Sequence, residues 1–470
     1  MPAAERSTRG VIPILLIAAF VVILNETTMN VALSSIMTDF GITERTAQWL
    51  TTAFMLTMAV VIPVTGWLLD RLPTRRVFQL SLSLFGAGTL MGIVAPSFAF
   101  LLAGRVVQAS GTAIMMPLLM TTIMALVPPD RRGTVMGNVS MVISVAPAVG
   151  PTLSGVLLQL GSWRLIFATV LPIAVLMLVL GSRRLADVGE RKDTPLDLLS
   201  VPLTLLAFGP LIYGLSLIGS DDVEFWVPML AVGIGVGGLV AFVARQLVLQ
   251  GRDRAFLDLR TFTYAPFTVS LTMLAIGMMA LFGTVIMLPL LLQRAFGMEP
   301  LQVGLMLLPG GIAMGLLSPA VGRLFDRVGP RVLVVPASVV VLAVFLFFST
   351  LSLTTPWWAV MLGHMLMSAS FAFIFTPLFT VSLGSLPKPL YSHGSAVIGA
   401  IQQVAGAAGT AIFVTVFAMQ TAAALPVSAS EAEAMLVGSH WAFLGAGAIW
   451  TAALISSFFV RKPDDAGVAH

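Results

Sequence analysis

Cysteine is absent from this 470-residue chain, which excludes disulfides, thiol catalysis and cysteine-ligated metal. Histidine occurs four times, too scattered for a His-rich metal centre. Charged side chains make up 10% of the residues, against about 25% in an ordinary soluble domain. With 58% hydrophobic residues there is more apolar surface than a soluble core can absorb, so the class is integral membrane protein. No glycine-rich phosphate loop is present. GIGVGG at Gly233–Gly238 lies inside an apolar run and reads as helix packing, so ATP drive is not expected. The net charge of +4 comes from loop residues, and no nucleic-acid partner is implied.

The scarcest feature is an acid in the apolar stretches. Of 21 Asp and Glu, only Glu26 falls well inside one, in VIPILLIAAFVVILNETTMNVAL. An ionisable group in hydrocarbon is costly unless it faces protein or water, so by default it marks function. The bland alternative is an acid that snorkels to the nearby helix end.

What is abundant is spanning-length apolar sequence. A membrane helix needs about 20 apolar residues, and fourteen such stretches are expected, the first beginning near residue 11. Short alternating strands are missing, so helices rather than a barrel are expected. With the N-terminus in the cytoplasm, only Arg45, Arg105, Arg164 and Arg294 fall outside the cytoplasmic segments, and the other 21 of 25 basic residues fall within them. That asymmetry supports both the count and an orientation with both termini inside. The expectation is a multi-pass protein of a bacterial-type plasma (inner) membrane.

Two segments repeat. GWLLDRLPTRRVF from Gly66 and GRLFDRVGPRVLV from Gly322 share Gly, Leu, Asp, Arg and Arg at matched places, 256 residues apart. LAGRVVQAS around Arg105 echoes MLGHMLMSAS around His364, 259 residues on. Two related halves with substrate held between them are typical of secondary transporters. The expected organisation is a six-helix bundle over 1–185, an inserted two-helix segment over 186–260 with spans near 197–218 and 225–247, and a second six-helix bundle over 261–470.

These residues resemble the major facilitator superfamily, and more narrowly its fourteen-helix drug–proton antiporters, over nearly the whole chain. Gly66, Asp70, Arg71 and Arg75 match the signature between the second and third helices, with Pro73 in place of the usual Gly. RVVQASGTA from Arg105 matches the fourth-helix signature, and SWRLIF at Ser162–Phe167 matches the start of the sixth helix. APAVGPTLSG, with Pro147, Gly150, Pro151 and Gly155, matches the antiporter signature of the fifth helix. GSAVIGAIQQVAGAAGTA resembles the penultimate helix, with Gln402 where Arg is common. The first-helix signature is altered: Asn25 stands where Asp is usual, and Glu26 follows. The coupling position is therefore either at residue 25 or moved one residue, about 100° around the helix.

The resemblance implies proton-coupled export by alternating access, with Asp70 as a gate residue and the fifth-helix motif shaping an outer gate. Asp70 would accept from the N-terminal amides of a neighbouring helix, or from Arg131 or Arg132. At 1.5 Å per residue, Glu26 and Arg105 reach the same depth, roughly 9 Å from the outer edge of a core about 30 Å thick. Facing one another, Arg105 and burial would act on Glu26 in opposite senses, a setting in which proton and cationic substrate compete. Asn30, Gln108, Thr112, Met115, Met278, Met279, Phe282, His364, Met367, Phe371, Phe375 and Gln402 are expected to line the cavity. The 26 Met are a high count, and Met surfaces re-pack around varied apolar ligands, although most of these Met are expected to face lipid or the core. The expected cargo is an amphipathic, cationic drug; a lipid or endogenous metabolite remains an alternative. No enzymatic activity is expected, since no nucleophiles or metal ligands cluster in the spans. The expected form is a monomer in the bilayer, with small hydrophobic substrates as partners and no cofactor besides the coupling proton.

Overall fold

The computed structural model describes residues 3–185, 187, 195–218 and 223–462, with backbone alone for 3–9, Asn30 and Glu44. Most of the charged stretch SRRLADVGERKDTPL at 182–196, and Asp221 and Asp222, lie outside the described residues. So does the side chain of Asn30.

The described chain forms fourteen α-helices. They are α1 (Ala3–Phe40), α2 (Glu44–Arg71), α3 (Thr74–Val94), α4 (Phe98–Leu126), α5 (Arg132–Leu160), α6 (Arg164–Arg184), α7 (Ser200–Leu217) and α8 (Trp226–Gln250). After a short 3-10 turn at Leu259–Thr263 follow α9 (Ala265–Arg294), α10 (Pro300–Val328), α11 (Arg331–Phe348), α12 (Trp357–Gly384), α13 (Tyr391–Ala424) and α14 (Glu431–Ser457). Thirteen are long and apolar enough to cross a membrane. The remaining one, α14, has 27 residues; His440 and its small residues lower its hydropathy, yet it packs against α9, α11 and α13.

Helix starts are written locally. The hydroxyls of Thr43, Ser97 and Ser430 accept from the third amide beyond them and so cap α2, α4 and α14. The two repeated turns end differently. Gly329 closes α10 with φ +79, a left-handed conformation that favours glycine, whereas Pro73 makes the equivalent reversal after α2 with φ −55 and ψ 139.

In the first half α1 packs on α4, α5 and α6, α3 on α4 and α6, and α2 on α4. In the second half α9 packs on α12, α13 and α14, α10 on α12, and α11 on α12 and α14. The halves meet along α5 with α10 and α2 with α13. Each pair joins the second helix of one half to the fifth of the other, the pattern that a two-fold repeat dictates. The α7–α8 hairpin packs on itself and, through α7, on α2 and α13. An even number of crossings puts both termini at one end, called here the basic end.

Candidate functional site

Buried polar side chains gather where α1, α3 and α4 meet. Gly88 and Gly111 let α3 and α4 approach closely: a Cβ on Gly88 would lie 2.5 Å from Gln108 N, and one on Gly111 2.5 Å from Phe85 N. That closeness buries Arg105 to 1% exposure and Gln108 completely. The Arg105 guanidinium donates from Nη1 to Gln108 Oε1 at 2.6 Å and to Asn25 Oδ1 at 3.3 Å. Gln108 in turn donates from Nε2 to Thr89 Oγ1 at 2.8 Å, and Thr89 donates to the Phe85 carbonyl. The Phe54 ring of α2 covers the guanidinium, 4.0 Å from Cζ to centroid.

Among the described residues, Arg105 Nε and Asn25 Nδ2 have no hydrogen-bond partner. Glu26 makes no hydrogen bond among them either, keeps partial exposure, and lies within electrostatic reach of Arg105. The expected level of Arg105 is thus matched, but its hydrogen bond goes to Asn25, and Glu26 stands one position further round the helix.

The fifth-helix motif supports this wall. A Cβ on Gly150 would collide with the Thr27 side chain, and Ser154 donates to the Thr28 carbonyl at 2.9 Å. Thr28 is bonded back to the Asn25 carbonyl. The motif therefore seats α5 on the turn just beyond Asn25 and Glu26. Pro147 and Pro151 point outward from a continuous helix, and Gly155 meets open space rather than a neighbour, so close packing rests on Gly150 and Ser154.

Several residues expected to line a cavity are core in this conformation. Met115, Met367 and Phe371 are fully buried, Met278 nearly so, and Phe371 stacks on Phe375 at 5.1 Å. Thr112 is spent on the Gln108 carbonyl. His364 is buried against Gly310 of α10, with Nδ1 unpartnered among the described residues. It sits seven residues past the first residue of α12, as Arg105 does in α4. Glu26, Phe282, Met279 and Gln402 retain exposed surface.

The basic end carries two latches. Asp326, at the end of α10, accepts from Gly133 N and Thr134 N at 2.8 Å each and from Thr134 Oγ1 at 2.7 Å. These are the first amides of α5, where the helix dipole favours an anion. Asp70, at the end of α2, meets α13: it accepts from Ser392 Oγ and lies 3.3 Å from His393 Nε2. Gly133 and Thr134 are one and two residues past the first of α5, as Ser392 and His393 are in α13. The repeated glycines make room for this. A Cβ on Gly66 would lie 3.0 Å from His393 Nδ1, and one on Gly322 would collide with the Gly133 carbonyl. Thr121 and Ser395 add a hydroxyl contact of 2.7 Å between α4 and α13.

The expectation for Asp70 therefore needs correction in its partners. It is Asp326 that takes the α5 amides, while Asp70 binds side chains of α13. Arg131 lies on an exposed turn beside Asp130 with 71% of its side chain accessible, outside both latches. Arg132 donates to the Met124 and Val127 carbonyls. Arg75 is exposed, its amide 3.4 Å from Asp187 Oδ1. Arg71 makes a further interaction of its own. The two latches were legible as a pair, because the repeat sets Asp326 against Asp70; their partners were not, since neither Gly133 nor Ser392 looks distinctive in sequence.

At the opposite end, Arg164 ties α6 to α1. It donates to Asp39 Oδ2 at 2.8 Å and to the Ala95 carbonyl at 2.9 Å, and Trp163 Nε1 donates to the same carboxylate at 3.0 Å. These bonds to Arg164 and Trp163 hold the Asp39 carboxyl below its ordinary range. The SWRLIF stretch is thus a clasp, and Arg164, an exception to the charge asymmetry, has an ionic reason for its place.

The family profile described as Major Facilitator Superfamily matches residues 15–410. The chain belongs to that superfamily. It is a multi-pass membrane transporter, not an enzyme. It is 37% identical over 456 residues to the lincomycin resistance protein LmrB of Bacillus subtilis, covering 95% of each chain. It is 38% identical over 454 residues to the uncharacterized MFS-type transporter YcnB of the same organism, covering 96% of this chain and 95% of the other. Among solved structures, the human organic anion transporter MFSD10 superposes with a TM-score of 0.69 at 16% identity, over 97% of this chain and all of the other, a likeness of fold alone.

Proposed function

We propose that this transporter exports amphipathic, cationic drugs in exchange for protons, and that Glu26 carries the proton. The observation that carries the reading is the arrangement around Arg105. A buried guanidinium is held by two neutral amides, Asn25 and Gln108, and the carboxylate within its electrostatic reach, Glu26, is left without a hydrogen bond among the described residues. A carboxylate that is near a cation but not locked to it can exchange its proton for a cationic ligand when its access to water changes. The resistance role in the name of LmrB supports a toxic cargo.

The basic end is read as cytoplasmic, from the charge asymmetry. With both latches made there, that end is closed, and α5–α10 and α2–α13 are the seams on which the halves rock. Gly150 and Ser154, which seat α5 on the α1 turn beyond Glu26, link that rocking to the proton site.

The test is transport in everted vesicles under an imposed pH gradient, with a panel of dye cations, lysolipids and neutral antibiotics. Gradient-dependent uptake of the cations supports the reading. Uptake confined to lysolipids, or unaffected by collapse of the gradient, overturns it.

A further inference from the structure

The two latches are related by the repeat, but they are not equivalent, and the difference involves the inserted helix pair. In one latch the second contact residue is Thr134, whose hydroxyl bonds Asp326 alone among the described residues. In the other it is His393, and an imidazole has a second arm. The backbone amide of Asp258 donates to His393 Nδ1 at 3.2 Å. With Nδ1 accepting, the neutral ring carries its proton on Nε2, which faces Asp70 Oδ2.

Asp258 belongs to residues 251–264, the stretch that joins α8 to α9. This stretch is tightly held. Gln246 of α8, fully buried, accepts from the amides of Phe256 and Leu257 at 2.8 and 3.1 Å and donates to Ser200 of α7 at 2.8 Å. Gln250 accepts from Leu259 N. Arg260 grips both oxygens of Asp258 and reaches Asp253 at 2.9 Å. At the base of the pair, Arg245 and Ser200 hold Asp197. Burial pushes the Asp258 carboxyl up, but its hydrogen bonds from the Arg260 side chain and amide prevail and keep it below its ordinary range.

A cavity of about 560 Å³ lies around this link, bordered by Trp67 and Asp70 on one side and Asp258, Arg260 and Tyr264 on the other. The same pair also packs, through α7, on both latch helices, α2 and α13. The α5–α10 latch shows neither contact among the described residues.

We propose that residues 251–264 form a strap through which the α7–α8 pair holds the α2–α13 latch closed, with His393 as the positioning residue. The strap fixes the tautomer and orientation in which His393 donates to Asp70. It makes one flank of the basic end stiffer than the other and gives the inserted pair a part in gating. The inference requires only that this end opens, whatever compound is carried.

The test is a distance measurement across the basic end. The chain has no native cysteine, so spin labels at Arg76→Cys and Lys388→Cys report opening without background, in folded, monodisperse protein. His393→Thr copies the other latch: it can still donate to Asp70 but gives the strap no acceptor. It should shift the open-to-closed ratio about fivefold toward open, the size expected for loss of one neutral hydrogen bond. His393→Gln can accept from Asp258 N–H and donate to Asp70, and should stay within about twofold of wild type. A second comparison leaves His393 in place. Asp258→Pro, compatible with the observed φ of −79, removes the donor amide, while Asp258→Ala keeps it. The proline variant should open beyond the alanine variant by a similar factor. Unchanged distances in His393→Thr, equal opening in His393→Gln and His393→Thr, or equal distances in the two Asp258 variants each overturn the proposal.

Discussion

Arg105 donates to Asn25, not to the carboxylate one residue further on. Residue 25, where the first-helix signature that this chain resembles has Asp, is neutral here, and the acid sits about 100° away around α1. This offset carries a prediction. Exchanging the two, in Asn25→Asp with Glu26→Gln, places a carboxylate 3.3 Å from the guanidinium in the wild-type geometry. The double variant should recover part of the gradient-driven transport that Glu26→Gln alone loses, read as initial rates in proteoliposomes. A double variant no better than Glu26→Gln would mean that the coupling position is not shared between residues 25 and 26.

Arg105→Lys should retain part of the activity and Arg105→Ala close to none. Lysine keeps a charge near Phe54 but lacks the terminal guanidinium nitrogen, Nη1, that reaches both Asn25 and Gln108. Equal activity of the two variants would show that a positive charge alone contributes nothing at this position.

Asp326→Asn should loosen the basic end more than any change at Arg131. The carboxylate holds two amides and a hydroxyl of α5, and charge-assisted bonds are worth about 1.5–3 kcal/mol each. An amide oxygen keeps some of this but surrenders the charge, so a shift of about tenfold toward the open end is expected from one such bond's weakening. Cysteine cross-linking between the ends of α5 and α10 measures it; an unchanged cross-linking yield would remove Asp326 from the gate.

The clasp at the other end yields a pH prediction. Asp39 is held below its ordinary range by Arg164 and Trp163. A carboxyl depressed by folding stabilises fully above its unfolded pKa of about 3.9, and the gain is lost only as pH falls through the lower folded value. Asp39→Asn should therefore lower the melting temperature by the same small amount at pH 5 and pH 8. A loss that differs between these two pH values would mean that another group titrates with the clasp.

Much of the fold was legible because the bilayer imposes it: spans, basic loops and the 256-residue repeat all follow from hydropathy and charge. The polar core was partly legible, since Arg105 and Glu26 are conspicuous in apolar sequence. What could not be read was direction around a helix. Whether Asn25 or Glu26 faces Arg105 depends on the rotation of α1, set by how Gly150 and Ser154 seat α5 against Thr27 and Thr28. Which lining candidates are packed away in this conformation could not be read either: Met115, Met367 and Phe371 lie on suitable helices but are buried. His393 gave no signal because its partner is a backbone amide.

The central claim is that Glu26 carries the proton. The direct measurement is dye-cation export in proteoliposomes, comparing wild type with Glu26→Gln under a pH gradient alone and under a potassium–valinomycin potential alone. One proton exchanged for one monovalent cation moves no net charge, so wild-type export should follow the pH gradient and ignore the potential, which otherwise contributes about 2.3 kcal/mol per charge per 100 mV. Glu26→Gln should fold, bind dye and show no gradient-driven export. Export by Glu26→Gln at the wild-type rate, or strong drive of the wild type by potential alone, would contradict the account.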